Sequence, residues 1–210
     1  MFLYYLSRTN KSLDIGSSIP TALNIAKTYG ICEERYHKYS YSFRRKPNIC
    51  AYENAYENRI LAYFKINVSV KDFKSVLALG HPIIFGMNCK SSFEKCTGEL
   101  NLIKEEEFIG NHSVICCGYD DTTKRIKIQN SWGIKWGDKG YCYMSYEYLE
   151  SGLCSEAYIL VDGINIKVVD NCSIQHNNLG LKLRKLLDHS SSYIFQLFDS
   201  CKPSRANKDY

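Results

Sequence analysis

Three side chains suited to proton chemistry and its shielding fall in one short stretch: His112, Asn130 and Trp132. An imidazole takes up and returns a proton near neutral pH, and an amide held against one ring nitrogen decides which tautomer is present. Residues 113–119 are apolar, 120–124 form a turn cluster, and 125–130 alternate polar with apolar, the pattern of a β-hairpin. If the turn holds an odd number of residues centred near Thr122, Asn130 lies opposite Val114. His112, two residues along from that partner, then shares its face of the sheet. That face carries Val114, Cys116, Ile126 and Ile128 as an apolar floor, with His112 and Asn130 at its open end. A lone histidine is more often structural than catalytic. What separates this one is the run that follows, Asn130-Ser131-Trp132-Gly133, Trp136-Gly137 and Gly140-Tyr141, which gathers both tryptophans of the chain among glycines. Glycines so placed suit close backbone packing or positive φ angles. Trp132 can be plain core, or a cover that keeps water from the His112–Asn130 hydrogen bond and so strengthens it.

The elements that must position these groups can be read on either side. Ser18 caps a helix with Pro20 in its first turn; Ile19, Ala22, Leu23, Ala26 and Tyr29 form one stripe, and Gly30 ends it. A second helix fits residues 69–79, with Ser69 as cap, Asp72 three positions on, and Gly80 as stop. Residues 36–58 read as loop with a short helix, and 82–87 as a short buried strand. Further strands fit 141–146 and 157–161. The first part is thus mainly helical (residues 1–81) and the next mainly β (82–162), an α+β arrangement with two lobes. Residues 163–210 read as a C-terminal extension in which 179–187 and 193–198 fit amphipathic helices.

Composition narrows the class. At 210 residues, with 45% hydrophobic and 23% charged, the chain can bury a real core. No run approaches the ~18 apolar residues of a membrane span. The six apolar residues at the start have neither the basic flank nor the cleavage site of a complete signal peptide. The net charge of +5 is spread along the chain, densest around Lys182, Arg184 and Lys185, without the concentrated stripe of a nucleic-acid binder. The ten cysteines lack the Cys-x2-4-Cys pairs of zinc sites, so a metal or redox protein is disfavoured and no metal site is expected. Disulfides and buried thiols remain equal alternatives for them.

The segments Gly110-Asn111-His112-Ser113-Val114, Gly118-Tyr119-Asp120-Asp121 and Asn130-Ser131-Trp132-Gly133-Ile134-Lys135-Trp136-Gly137-Asp138-Lys139-Gly140-Tyr141 together resemble the papain family of cysteine peptidases. Tyr146-Glu147-Tyr148-Leu149, Asp14-Ile15-Gly16-Ser17-Ser18-Ile19 and Tyr29-Gly30-Ile31-Cys32-Glu33-Glu34 are similar to its branch in bacteria and large DNA viruses. The resemblance covers residues 1–162 and implies the papain-like two-lobe α+β fold. It implies that His112 is the general base and acid, that Asn130 orients it, and that Trp132 covers the pair. Asn111 would flank the S2 side of the cleft, and Gly16 and Ser17 would match the strip that binds the substrate backbone. The substrate would be a peptide or protein, cleaved through an acyl-thioester with no metal or cofactor, and an uncharged Asn111 suggests an apolar or aromatic P2 side chain.

The chain departs from that family at one decisive point. The family's nucleophilic Cys begins a long helix in a Gln-x5-Cys-Gly-x-Cys-Trp segment, which would precede Met1, and none of the ten cysteines occupies its position. The helical lobe is therefore expected to lack its central helix. Two readings follow from the sequence: a peptidase whose thiol lies in a separate or upstream segment, so that an N-terminal fragment is a partner, or a non-catalytic papain-fold module that binds peptides. On either, the 210 residues alone are expected to be inactive, since His and Asn cannot replace the attacking thiolate.

Overall fold

A computed structural model describes residues 1–40 and 42–162. The expected helices at 179–187 and 193–198, the basic cluster at Lys182, Arg184 and Lys185, and the whole 163–210 extension lie outside the described residues. Three helices come first: α1 (Phe2–Ser7), α2 (Ile19–Thr28) and α3 (Ile49–Glu57). Then β1 (Ile60–Ile66), α4 (Val70–Ala78), β2 (Ile83–Lys90), the single turn α5 (Ser91–Glu94) and β3 (Glu99–Leu100) follow. The chain continues as β4 (Phe108–Asp120), β5 (Arg125–Gln129), β6 (Tyr141–Ser145), α6 (Tyr146–Glu150) and β7 (Cys154–Asp162).

The helix starts follow from local hydrogen bonding. The first backbone N–H groups of a helix have no partner within it, and a serine hydroxyl can accept from one. Ser18 Oγ accepts from the Thr21 N–H at 3.3 Å, and Ser69 Oγ from the Asp72 N–H at 3.1 Å. At the far end of α2, Gly30 turns the chain with φ +87° where a side chain would run into the Ala55 carbonyl of α3. Two helices are thereby brought closer than any other residue type permits.

Seven strands form one sheet in the order β1-β7-β2-β4-β5-β6-β3, antiparallel but for the β3–β6 pair. Because strand side chains alternate, β4 feeds two cores. On one face Ile115 joins Ile84 and Tyr158 beneath Leu3, Ile19, Leu23 and Ala26 of α1 and α2. On the other, Val114 and Cys116 join Phe85, Met87, Ile126, Ile128 and Met144, capped by Phe73 of α4. A third, smaller cluster of Phe2, Cys32, Ala51 and Ala55 ties α1 to α3. The α+β composition expected from the sequence is present, with three helices first and the later helices interleaved with the strands.

The hairpin register repays a closer look. An odd-numbered turn centred on Thr122 was the expectation; instead Asp120 pairs with Arg125, leaving a four-residue turn. A bulge between Cys116 and Gly118 then shifts the pairing by one, so that Cys116 faces Ile128 and Ile115 faces Gln129. Extending that register puts Asn130 opposite Val114, the relation the odd turn would have given. Two elements also differ in extent. Strand β7 begins at Cys154 rather than at residue 157, and Tyr146 opens α6, capped by Ser145, instead of ending a strand. The eight described cysteines are free thiols, most of them buried as small apolar groups.

Candidate active site

His112 sits on the inner face of β4 and Asn130 follows directly on β5; both are almost wholly buried, at 3% and 2% exposure. His112 Nε2 lies 2.7 Å from Asn130 Oδ1. The same oxygen accepts the Ser131 backbone N–H at 2.8 Å. That second bond determines which way round the amide is held, because a backbone N–H can only donate. An Oδ1 facing the ring must accept, so Nε2 carries the proton and Nδ1 keeps the basic lone pair. The imidazole is thus held in one tautomer and one orientation before any substrate arrives. The Asn130 Nδ2 is buried without a hydrogen-bond acceptor among the described residues.

The glycine-rich segment after Asn130 builds the wall behind this pair. The Asn130 N–H donates to the Gly140 carbonyl at 3.0 Å and the Gly140 N–H to that of Trp136 at 2.8 Å, folding residues 130–140 into a compact loop. Gly137, at φ +59°, is where a side chain would meet the Tyr141 backbone. The loop delivers Trp132 onto the imidazole, with ring centroids 5.0 Å apart and planes inclined at 34°. Trp136 meets Trp132 edge-on at 5.8 Å, and its Nε1–H donates to the Phe93 carbonyl at 2.9 Å.

Phe93, on α5, completes the box, and the sequence reading missed it. It is fully buried, with its ring 5.7 Å from His112, 5.2 Å from Trp132 and 4.9 Å from Trp136. A single helical turn leaves no periodicity to detect. The turn is pinned from a distance by Glu106, whose carboxylate accepts from the Ser92 N–H at 2.9 Å and from the Ser92 hydroxyl at 2.7 Å. A dry aromatic wall strengthens the hydrogen bond it encloses, since water cannot compete for either partner.

The other candidate residues stand apart from this cluster. Asn111, next to His112 in β4, is exposed, and it pairs with Asn88 of β2. Gly16, at φ +74°, is buried just before α2. Ser17 Oγ donates to the Ser7 carbonyl at 3.2 Å, tying this turn to α1. Among the described residues, no group of three His, Cys, Asp or Glu side chains could hold a metal ion, and no helix is long and apolar enough to cross a membrane.

Five of the described thiols, Cys32, Cys89, Cys116, Cys117 and Cys154, are held protonated by their surroundings. Burial pushes the Cys32 thiol up to about 12, Cys154 to about 12 and Cys117 to about 11, and raises Cys89 and Cys116 further. A thiol in that range stays protonated near neutral pH, and the thiolate is the attacking form.

Comparison with known proteins gives this geometry its context. The profile described as papain family cysteine protease matches residues 11–161. An uncharacterized peptidase C1-like protein of Acanthamoeba polyphaga mimivirus is 30% identical over 188 residues, covering 81% of this chain. Peptidase 1 of the mite Dermatophagoides pteronyssinus is 25% identical over 163 residues, 67% of this chain. The chain spans 60% of the length of the first and 50% of the second. Among solved structures, xylellain, a cysteine protease from Xylella fastidiosa, superposes with a TM-score of 0.72 at 26% identity, over 77% of this chain and 68% of that one. The proform of the ragweed Amb a 11 cysteine protease shares the fold, with a TM-score of 0.60 at 20% identity, over 76% and 50%. With the profile spanning most of its length and the fold in agreement, this chain belongs to the papain family of cysteine proteases.

Proposed function

We propose that residues 1–162 supply the base-bearing part of a peptidase that hydrolyses peptide or protein substrates, and that its nucleophilic thiol is contributed from outside these 210 residues. Residues 163–210 are on this reading an extension of that domain. The observation that carries the proposal is the 2.7 Å His112–Asn130 contact, with the amide oriented by the Ser131 N–H. His112 Nδ1 takes the proton of the thiol as it attacks the scissile carbonyl, then returns it to the leaving amine. Asn130 keeps the ring turned through both transfers, and Trp132 with Phe93 excludes water from their bond. Asn111 borders the S2 side of the cleft, while Gly16 and Ser17 present backbone to the peptide.

Two further observations support a thiol from elsewhere. None of the ten cysteines matches the family's nucleophile position, and the described thiols at Cys32, Cys89, Cys116, Cys117 and Cys154 are pushed up by burial.

The test is made on the native protein from its own source, by intact mass, N-terminal sequence and peptide hydrolysis before and after thiol alkylation. The expected result is a longer species or a complex that includes a cysteine at a helix start. Its activity disappears on alkylation of that cysteine and in the His112→Ala variant, while the 210 residues alone are inert. Hydrolysis by the 210-residue chain with one of its own cysteines alkylated would refute the division of labour. A native protein of these residues only, inert but binding peptides, would favour the non-catalytic module instead.

A further inference from the structure

Below the aromatic box, two thiols meet that the proposed reaction does not use. Cys96, just after α5, and Cys142, in the middle of β6, place their sulfur atoms 3.0 Å apart in a shared hydrogen bond. Both are buried, Cys142 completely and Cys96 at 7% exposure. Neither sulfur can wander, because each backbone is held on two sides. The Cys96 N–H donates to the Phe93 carbonyl at 3.3 Å, and its own carbonyl accepts from the Gly137 N–H at 3.1 Å. Cys142 is locked in the ladder opposite Ile128. Cys116 and Cys117 are arranged differently, donating to the carbonyls of Gly118 and Lys127.

We propose that Cys96 and Cys142 form a disulfide when the protein meets a hydroperoxide, clamping the α5 turn that carries Phe93 to strand β6. The sulfurs need to close by only about 1 Å to reach bonding distance, and two well-anchored backbones already set their approach. Accessibility assigns the roles: Cys96 keeps 7% exposure while Cys142 has none, so a small oxidant reaches Cys96 first. The contact with Cys142 also lowers the Cys96 thiol, opposed by burial. The same contact, together with burial, drives Cys142 up. Cys96 is thus the attacking sulfur and Cys142 the resolving one.

The Cys96 thiolate displaces hydroxide from the peroxide O–O bond, becoming a sulfenic acid; the hydroxide takes up the proton that Cys96 gave up and leaves as water. The Cys142 sulfur then attacks the sulfenic sulfur, forming the S–S bond and breaking S–O. The departing hydroxide takes the Cys142 proton and leaves as a second water. Two thiols lose two electrons and two protons, and the peroxide is reduced to two waters. Hydrogen peroxide is small enough to reach a sulfur with little exposed surface, whereas a bulky disulfide reagent is not.

The experiment reads thiols and not hydrolysis, so it stands or falls separately from the catalytic reading. The full chain is treated with a small excess of hydrogen peroxide, denatured in alkylating agent, digested without reductant and mapped by mass spectrometry. The expected product is a peptide joining Cys96 to Cys142, lighter by two hydrogens and released by dithiothreitol. In the Cys142→Ser variant the reaction should stop at Cys96, where a 1,3-dione traps the sulfenic acid. Alkylation of both thiols after peroxide would overturn the proposal. So would over-oxidation of Cys96 beside a free Cys142, or a cross-link between other cysteines. The wild-type map decides the matter even if the variant fails to fold.

Discussion

Replacing Asn130 with alanine tests the His112–Asn130 geometry without relying on catalysis. The substitution removes one oxygen that serves two donors, the His112 Nε2–H at 2.7 Å and the Ser131 N–H at 2.8 Å. His112 is only 3% exposed, so water cannot replace the lost acceptor at the ring. A buried donor left without a partner costs about 1–3 kcal/mol. The Ser131 N–H, less deeply placed, adds about 1 kcal/mol, and removing the already orphaned Asn130 Nδ2 returns a similar amount. With a small cavity included, the net destabilisation works out at about 2–3 kcal/mol. Urea unfolding followed by far-UV circular dichroism, at mildly alkaline pH where imidazole is neutral, should show a lower midpoint with an unchanged slope. A double-mutant cycle with His112→Ala should return a coupling of about 1–2 kcal/mol. Asn130→Asp keeps an acceptor beside Nε2, so it should cost less than Asn130→Ala near neutral pH. A cost below about 0.5 kcal/mol for Asn130→Ala, or no coupling in the cycle, would refute the reasoning.

Two other outcomes follow from the same structure. Phe93→Ala empties the centre of the aromatic box and should cost about 3–5 kcal/mol in urea unfolding while flattening the near-UV dichroism of the tryptophans; a loss under about 1 kcal/mol would mean the ring is not packed as described. His37, 3% exposed, has its pKa lowered to about 4 from 6.5, by burial first and then by the positive charges of the Met1 amino group and Arg45. Between those values the unfolded chain binds a proton that the folded one does not, so stability present above pH 6.5 should be lost as pH falls toward 4. The loss should reach about 2–3 kcal/mol and should be absent in His37→Gln; an identical pH profile in the two proteins would contradict it.

Much of the frame was legible because it is written in local chemistry. Ser18 and Ser69 announce their helices through hydroxyls placed to accept a backbone N–H, and those bonds form. The relation of His112 to Asn130 was read from strand alternation together with an odd-numbered turn, and the structure reaches it by another route. The turn is even, and the bulge at Cys117 makes up the missing residue. A bulge leaves no mark in an apolar run, since Cys117 is as compatible with a strand as its neighbours are. Strand β1 was hidden for a related reason. It lies at the sheet edge, paired only with β7, and its half-exposed residues do not alternate cleanly. Phe93 was illegible because its ring contacts come from two other segments, β4 and the 130–140 loop, and no spacing within one segment encodes them.

The chain has only two tryptophans, and both lie in the wall of the candidate site, one of them stacked within 5.0 Å of the imidazole. Indole emission is quenched by a nearby imidazolium far more than by neutral imidazole. The protein therefore carries an optical reporter in that wall, with Trp132 against the His112 ring. Closure of the site by another segment of polypeptide would register in the same signal.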